Sequence, residues 1–212
     1  MKAHHDANRR PGDLDAERLA LVASTIVNSG ARSVLDLGCG VGKLLARLRK
    51  EPQIERLVGL EVCVEALAHA RTRLNIGMDV RSAVQQTQGV SLHEASLLLP
   101  DERLAGFDAA ALVEVIEHLD PGQLPAVERS VFRCFRPGMV VVTTPNQEYN
   151  RLYPMGRRRF RDPDHRFEWP RHRFQEWAGG MAQRNGYRVS FRGIGAEHPS
   201  LGASTQMAVF AR

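Results

Sequence analysis

Short apolar runs alternate with amphipathic stretches along this chain, which is the pattern of strands connected by helices. Strands are predicted at residues 33–39, 56–62, 91–97, 107–113, 139–144, 188–194 and 206–211. Helices are predicted at residues 43–50 and 64–74, and an earlier helix, capped by Asp13 or Asp15, is predicted to end at about Asn28. Strands that alternate with helices predict an α/β fold with one doubly wound, mostly parallel sheet and helices on both faces.

The last strand is expected to differ from the others in direction. Only residues 195–204 separate the two final predicted strands, and a parallel connection needs a crossover of a dozen or more residues. The sheet is therefore predicted to have seven strands, of which the last is antiparallel.

Length and composition fit one domain. With 212 residues, 43% of them hydrophobic and 25% charged, a single domain over residues 1–212 is predicted, with residues 1–12 flexible. No run approaches the roughly 18 apolar residues of a membrane helix and the amino terminus is polar, so a soluble cytoplasmic protein without a membrane partner is expected. Cys39, Cys63 and Cys134 lack paired metal-ligand spacing and are expected to be reduced.

Positive charge is concentrated in one segment. Between Arg151 and Arg173, eight arginines accompany three acidic residues, and this surplus of five equals the formal charge of +5 of the whole chain. The segment predicts either a local anion-binding surface or an arginine-rich solvated loop, and the charge pattern alone does not separate the two.

A glycine-rich turn, Asp36-Leu-Gly38-Cys-Gly40, lies where the first predicted strand gives way to a helix, so its backbone can closely approach a ligand. Glu61 ends the second strand about twenty residues further on, where an acid can bind ribose hydroxyls. Dinucleotide sites share this geometry, but Asp36 would repel a pyrophosphate and suits the cationic sulfonium and amino group of S-adenosylmethionine. The alternative for Asp36 and Glu61 is an acid that only caps a strand end.

The loop and the predicted antiparallel last strand resemble the seven-stranded class I methyltransferases over nearly the whole chain. The resemblance implies a Rossmann-like methyltransferase fold and adds Ser96, after the third predicted strand, as an adenine contact. The predicted cofactor-binding residues are therefore Asp36, Gly38, Gly40, Glu61 and Ser96.

A cluster of metal-ligand residue types, Glu114-Val-Ile-Glu117-His118, follows the fourth predicted strand. If the chain turns into a helix there, Glu114, Glu117 and His118 share one face, and two carboxylates with an imidazole suit Mn²⁺ or Mg²⁺. The alternative is two solvated acids beside a surface histidine, and small-molecule methyltransferases, including quinone types, share this stretch. His165, inside the basic segment, is a candidate fourth ligand.

Four motifs together resemble the small-RNA 3′-terminal 2′-O-methyltransferases, in particular their bacterial members. These motifs are E-V-I-E-H-L (114–119), T-P-N-x-E-Y-N (144–150), D-H-R-F-E-W-x-R (164–171) and T-Q-M-A-V-F (205–210). The resemblance, over residues 14–212, implies that Glu114, Glu117, His118 and His165 bind a divalent metal and carry catalysis, within a substrate and metal segment at 145–180. His172 is the rival fourth ligand and lies outside the matched motif.

The sequence departs from that family in two places. Pro170 stands where the family usually has threonine or serine, which puts the role of Arg171 in doubt. Bacterial members often carry a separate amino-terminal region that works with an RNA kinase-phosphatase and ligase. That region is not among these 212 residues, so the chain is expected to be either the methyltransferase part of a longer protein or a stand-alone form.

The resemblance implies methyl transfer to the 2′-hydroxyl of the 3′-terminal nucleotide of an RNA, in RNA repair or end protection. A metal that contacts both the 2′ and the 3′ oxygen requires a free vicinal diol, which only that nucleotide offers. The arginines predicted to bind RNA phosphates are Arg157, Arg158, Arg159, Arg161 and Arg171. The aromatic residues Phe160, Phe167 and Trp169 are expected to pack in the core, with base stacking as the alternative.

Two other functions remain open at this point. A quinone-type or catechol-type small-molecule O-methyltransferase needs E-V-I-E-H but not the arginine surplus. A non-catalytic RNA-binding or ligase-activating module would have no affinity for the methyl donor, which is at odds with the intact loop from Asp36 to Gly42.

Overall fold

One mixed sheet forms the centre of the computed structural model, which describes residues 11–76, 89–155 and 159–212. Its strands are β1 (Ser33–Leu37), β2 (Arg56–Glu61), β3 (Gly89–Glu94), β4 (Ala109–Val113), β5 (Met139–Pro145), β6 (Arg188–His198) and β7 (Gly202–Ala211). They lie in the order β3-β2-β1-β4-β5-β7-β6. The first five strands run parallel, and β7 is antiparallel to both β5 and β6, so the predicted strand directions are confirmed.

Helices cover both faces of this sheet. They are α1 (Pro11–Asn28), α2 (Lys43–Leu48), α3 (Val64–Arg73), α4 (Leu124–Val127), which continues as a π-helix over Glu128–Phe135, and α5 (Arg171–Asn185). The first three helices share one hydrophobic core with the sheet, and α4, the π-helix and α5 share the other. This confirms the doubly wound class I methyltransferase architecture expected from the sequence.

Strand β1 is buried on both faces, as a central parallel strand must be. Val34 packs into the core below α1, whereas Leu35 and Leu37 point into the opposite core. Each of these side chains is fully buried and contributes roughly 1.5 to 3 kcal/mol through removal from water. The two cores fix the strand so that the residues after it emerge at the carboxyl edge of the sheet.

Several predicted boundaries need correction. Helix α1 begins at Pro11, so Asp13 lies in its first turn instead of capping it, and the missing N–H of a proline costs nothing at a helix start. Strand β3 ends at Glu94, so Ser96 lies beyond it. Strands β6 and β7 are longer than predicted, because their pairing continues past a bulge between Ile194 and Glu197. Of residues 1–12, which were predicted to be flexible, residues 1–10 lie outside the described ones and residues 11 and 12 belong to helix α1.

The helix over Glu114–His118 on which the shared ligand face depended does not form. Glu114 has a φ of 53°, in the left-handed region that interrupts a right-handed helix, and only Ile116–His118 form a 3₁₀ turn. The Glu114 N–H instead donates to the carbonyl of Thr143 (3.2 Å), which prolongs the contact between β4 and β5. Glu114 and Glu117 therefore do not share a helical face.

Among the residues that the structure describes, no helix combines the length and the apolar character of a membrane span. The cytoplasmic location expected from the sequence stays a prediction.

Candidate cofactor and metal site

A cavity of about 700 Å³ lies at the carboxyl ends of β1, β2 and β4. All the predicted cofactor-binding residues line it: Asp36, Gly38, Gly40, Glu61 and Ser96. Glu114 and His118, two of the predicted metal ligands, line the same cavity. The structure thus brings the cofactor candidates and part of the metal constellation to one place.

The glycine turn is held in a conformation that side chains disfavour. Gly38 has a φ of 79°, and a Cβ atom there would lie 2.8 Å from a methyl group of Val115. Gly40 has a φ of 51°, and a Cβ atom there would meet nothing within 4 Å. The N–H groups of Gly38 and Cys39 both donate to the carbonyl of Leu60, at 2.8 and 2.9 Å. The backbone can therefore border the cavity closely.

Glu61 ties this turn to the end of β2. Its Oε2 accepts a hydrogen bond from the N–H of Gly40 (2.9 Å), and its Oε1 accepts from the N–H groups of Val62 (2.8 Å) and Cys63 (2.9 Å). A carboxylate has about four lone-pair sites, so acceptor capacity remains for a ligand hydroxyl. The ribose contact of Glu61 stays a prediction.

Asp36 is a buried carboxyl in the wall of the cavity. It is 2% exposed, and its Oδ2 has no hydrogen-bond partner among the described residues. Burial, and then the negative charge of Glu61, raise the pKa of Asp36 to about 7. A cationic ligand beside Asp36 would favour the ionised carboxylate, which agrees with the predicted sulfonium or ammonium contact.

Three predicted metal ligands converge next to the cavity. Glu117, His118 and His165 each offer one ligand atom, and these atoms all lie within 4.8 Å of one another. Ligand atoms about 2.1 Å from a shared ion are at most about 4.2 Å apart. The ligand atoms would therefore have to approach one another by roughly half an ångström to bind one ion.

Glu117 fits a metal ligand by its burial and its hydrogen bonding. It is fully buried; its Oε2 accepts from the Thr144 hydroxyl (3.0 Å), and its Oε1 has no partner within the described part of the chain. Burial, with the charge of Glu114 added to it, raises the pKa of Glu117 well above its ordinary value. A divalent cation would supply the missing partner and favour the ionised form, so the residues present fit such an ion.

Backbone hydrogen bonds bring the distant His165 to this place. The N–H of Arg166 donates to the carbonyl of Glu117 (2.7 Å), and the rings of His118 and His165 meet edge to face with centroids 4.8 Å apart. Burial of the His118 ring, and then the proximity of His165, lower the pKa of His118. Both effects favour the neutral imidazole, which is the form that binds a metal.

Glu168 orients the ring of His165 through a contact with its Nδ1 atom. Its Oε1 is 2.7 Å from His165 Nδ1 and also accepts from the N–H of Arg161 (2.7 Å), and its Oε2 accepts from the amide of Asn150. Burial opposes ionisation of Glu168, but these hydrogen bonds outweigh it and lower the pKa. An ionised Glu168 assigns the proton of His165 to Nδ1 and leaves the Nε2 lone pair for a metal.

We predict that Glu168→Gln weakens Mn²⁺ binding by about 10 to 100-fold, because a glutamine amide cannot satisfy three donors as the carboxylate does. The affinity is measured from the electron paramagnetic resonance signal of free Mn²⁺, and the tautomer of His165 from ¹⁵N shifts of labelled histidine. Glu148→Gln is the matched control, because Glu148 pairs with Arg171 and not with His165. Unchanged Mn²⁺ affinity and an unchanged tautomer in Glu168→Gln would contradict the assignment.

The structure does not bring Glu114 into the ligand group. Its Oε1 accepts from the Thr143 hydroxyl (2.9 Å), and its Oε2 lies 3.1 Å from Nη1 of Arg18. Glu114, predicted as a metal ligand, is thus adjacent to the other three but paired elsewhere.

The structure does not support the predicted RNA contact of Arg161. Its Nε donates to Asn150 Oδ1 (2.6 Å), its Nη1 to the carbonyl of Ser204 (2.8 Å) and its Nη2 to the carbonyl of Asn146. The guanidinium is held in the protein interior, where it joins the basic segment to the ends of β5 and β7. It is not available to a phosphate.

Arg171 is also bound to protein groups. Its Nε donates to Glu148 Oε2 and its Nη2 to the carbonyl of Ser200 (2.8 Å), while 41% of the side chain stays exposed. Its predicted RNA contact stays a prediction.

The exposed arginines of the described basic segment include Arg159 and Arg166. The guanidinium of Arg159 lies over the ring of Phe160, 4.9 Å from the centroid. Arg157 and Arg158 lie outside the described residues, so their predicted RNA contacts are not placed.

The remaining aromatic and histidine candidates differ in how deeply they are buried. Phe167 and Trp169 are 6% and 5% exposed and stack on each other in the core, as expected. His172 is exposed on α5 and lies outside the group of converging ligands.

Sequence reasoning missed three positioning residues: Arg18, Thr144 and Glu168. Thr144 and Glu168 lie inside the quoted motifs, and Glu168 follows His165 at a spacing of three, which is a signal for a hydrogen-bonded pair. Arg18 has no such signal, because its partner Glu114 is remote in the sequence.

The chain matches a family model described as a methyltransferase domain over residues 5–192. A protein named small RNA 2′-O-methyltransferase from Mus musculus is 38% identical over 203 residues, which are 92% of this chain and 50% of the relative. The chain spans about half the length of the curated relatives it matches.

Solved structures show the same likeness. The methyltransferase domain of bacterial CtHen1-C is 43% identical, with a TM-score of 0.83, 93% of this chain covered and 98% of that one. A chain of the Pnkp1/Rnl/Hen1 RNA repair complex is 21% identical with a TM-score of 0.66, over 94% of this chain and 42% of that one. The second likeness shows the fold alone.

Proposed function

This chain belongs to the methyltransferase-domain family and, within it, to the small RNA 2′-O-methyltransferases, and on that premise we propose a specific reaction. It transfers the methyl group of S-adenosylmethionine to the 2′-hydroxyl of the 3′-terminal nucleotide of an RNA. The reaction depends on Mn²⁺ or Mg²⁺ bound by Glu117, His118, His165 and, in the loaded enzyme, Glu114.

The observation that carries this proposal is the meeting of the ligand group with the methyl-donor cavity. His118 belongs to both, since it lines the cavity and lies within 4.8 Å of the other ligand atoms. When bound there, a divalent cation would orient and acidify a 2′-hydroxyl through contact with the 2′ and 3′ oxygens. A free vicinal diol occurs only on the 3′-terminal nucleotide, which supports end specificity and excludes DNA.

The protein's own part in the reaction is positioning. Asp36 and Glu61 would hold the donor in the cavity that His118 also lines. The transfer would form a bond between the methyl carbon and the 2′ oxygen as the carbon–sulfur bond breaks, with the electron pair left on sulfur and the hydroxyl proton passed to a base. Residues 145–180 form the substrate and metal segment of this proposal.

The cellular role proposed is RNA repair or end protection. The motif resemblance to bacterial small-RNA methyltransferases and the 43% identity to the methyltransferase domain of bacterial CtHen1-C support this role. An RNA kinase-phosphatase and ligase is therefore the proposed partner. Co-purification of such an enzyme with the full-length protein tests it.

The decisive experiment compares two RNAs that differ only in the 3′-terminal sugar, one with a 2′-hydroxyl and one 2′-deoxy. We expect methyl transfer from labelled S-adenosylmethionine to the first RNA only, and loss of transfer on chelation that added Mn²⁺ restores. A catechol is included as a small-molecule acceptor. Methylation of the catechol without metal, and none of RNA, would overturn the proposal in favour of a small-molecule methyltransferase.

RNA affinity should fall with salt, because arginines of the basic segment would contact phosphates. Replacing Arg159 and Arg166 by glutamine should flatten the plot of log affinity against log salt by about 1 to 1.5, because each phosphate of a single strand that an arginine neutralises adds roughly 0.7 to the slope. The control is Arg32→Gln, since Arg32 is exposed before β1, at the opposite edge of the sheet. An identical slope in the wild type and the double variant would show that these two arginines do not hold RNA.

A further inference from the structure

One arginine of α1, Arg18, lines the cofactor cavity and pairs with Glu114. Arg18 Nη2 is 2.9 Å from Asp15 Oδ1, and its Nη1 is 3.1 Å from Glu114 Oε2. Only 13% of the side chain is exposed, and the buried Nε has no hydrogen-bond partner among the described residues. Arg18 lines the cavity together with Asp15 and Glu114. A nearly buried guanidinium thus keeps an unused donor beside the cofactor cavity.

The charged side chains around Arg18 balance one another as long as no charged ligand is bound. Lys43 Nζ lies 2.6 Å from Asp15 Oδ2, so Lys43, Asp15, Arg18 and Glu114 form a row of alternating sign. The methionine part of S-adenosylmethionine adds a carboxylate, which needs a cation. The fork of a guanidinium matches a carboxylate better than an ammonium does, and Lys43 is the more exposed of the two at 50%.

Glu114 is held next to the metal ligands without being one of them. Its left-handed φ of 53° is unusual for a residue with a side chain, and such positions persist where the surroundings enforce them. Its carboxylate is fixed by the Thr143 hydroxyl and by Arg18. Mn²⁺ and Mg²⁺ prefer oxygen ligands, yet the converging group offers one carboxylate and two imidazoles. A second carboxylate is therefore the chemical type that the group lacks.

We propose that Arg18 couples the two sites. The carboxylate of the bound cofactor pairs with Arg18 in place of Glu114, and Glu114 is then free to become the fourth ligand of the divalent cation. The inference rests on the proposed function and adds that the two binding events favour each other. Cofactor binding favours metal binding, and by thermodynamic reciprocity the metal tightens the cofactor by the same factor.

The coupling is tested on binding, without turnover. Mn²⁺ affinity is measured by electron paramagnetic resonance for the protein alone, with S-adenosylhomocysteine, and with 5′-methylthioadenosine, which lacks the amino-acid part. We expect S-adenosylhomocysteine to tighten Mn²⁺ binding about tenfold, within the usual range of coupling between sites. 5′-Methylthioadenosine should have no effect, because it brings no carboxylate to Arg18.

Variants identify the residue that carries the coupling. In Arg18→Gln, Mn²⁺ should bind the cofactor-free protein about as tightly as it binds the wild type with S-adenosylhomocysteine, and the ligand should add nothing. Lys43→Gln is the matched control: it removes one positive charge from the other oxygen of Asp15 and should keep the coupling. Glu114→Gln keeps the size of the side chain and should abolish the coupling from the metal side, and thermal melts verify that each variant is folded.

The outcomes separate this inference from the proposed function. An equal effect of S-adenosylhomocysteine in the wild type and in Arg18→Gln, or an equal effect of 5′-methylthioadenosine, would overturn the coupling. Tight binding of S-adenosylhomocysteine with no change in Mn²⁺ affinity would overturn the coupling alone. Failure of S-adenosylhomocysteine to bind the wild type would overturn the proposed function as well.

Discussion

Glu117→Gln should lower methylation of a 3′-terminal 2′-hydroxyl by more than about 100-fold, because it removes the one buried carboxylate of the converging ligand group. Glutamine preserves the volume and can still accept the hydrogen bond from Thr144, so the fold should survive. Transfer of labelled methyl groups to RNA, at saturating donor and Mn²⁺, measures the loss.

Donor binding measured without divalent metal should be nearly unchanged in the same variant. Glu117 and His165 do not line the described cofactor cavity, whereas His118 and Glu114 do. Calorimetric titration of S-adenosylmethionine into Glu117→Gln and into His165→Ala therefore isolates the metal function from the donor function. His172→Ala is the control for His165→Ala, because His172 is exposed and outside the ligand group. Full activity in both Glu117→Gln and His165→Ala would eliminate the metal mechanism.

Local sequence patterns predicted the parts of the site that depend on neighbours in the chain. The turn from Asp36 to Gly40 follows a strand that two cores bury on both faces, so its place at the carboxyl edge follows from periodicity alone. Glu61 ends the adjacent strand, and parallel pairing brings it to the same edge. Such placements need only the rule that parallel strands present their carboxyl ends together.

The ligand set was predictable only in part, because its geometry depends on backbone conformations that spacing does not reveal. His165 meets Glu117 through hydrogen bonds between remote segments, and the sequence pointed to it through its place in the basic segment and through the resemblance of motifs. For Glu114 the spacing to Glu117 suggested a shared helical face, but the left-handed φ of Glu114 breaks that helix. The carboxylate then pairs with Arg18, a residue that no local pattern connects to it.

The charge count describes the basic segment as a whole and does not show which of its arginines are exposed. Arg161 and Arg159 are two positions apart, yet one guanidinium is bonded to protein carbonyls in the interior and the other is exposed beside Phe160. A surplus of arginines predicts anion binding on average. Which arginines remain free depends on how the segment folds back over the ends of β5 and β7.

Asp36→Asn should stabilise the cofactor-free protein, most strongly above pH 7. Burial raises the pKa of Asp36 from 3.8 to about 7, so the folded state resists ionisation that the unfolded state accepts. Stability is therefore lost as pH rises from about 4 through 7, by roughly 2 to 4 kcal/mol in total, and asparagine avoids this loss. Thermal melts should show a gain of about 10 °C for Asp36→Asn at pH 8 and a much smaller gain at pH 5.

Asp108→Asn provides a control of opposite sign. Burial opposes ionisation of Asp108, but hydrogen bonds from the Ser33 hydroxyl and from the N–H groups of Arg32 and Ser33 outweigh it and lower the pKa. This carboxylate therefore stabilises the fold above pH 4 and loses its contribution as pH falls through its lowered pKa. Asp108→Asn should be less stable than the wild type at pH 8, where Asp36→Asn is more stable.

The stability gained by Asp36→Asn should come with loss of the methyl donor. A cation bound beside Asp36 favours its ionised form, so removing that charge should weaken S-adenosylmethionine binding by about 100-fold. In the wild type, donor affinity should fall by up to tenfold per unit as pH drops below about 7, because the ligand must then displace a proton. The variant should show no such dependence between pH 7 and 5. If Asp36→Asn binds S-adenosylmethionine like the wild type, the buried carboxyl has no part in holding the donor, and its unpartnered oxygen needs another explanation.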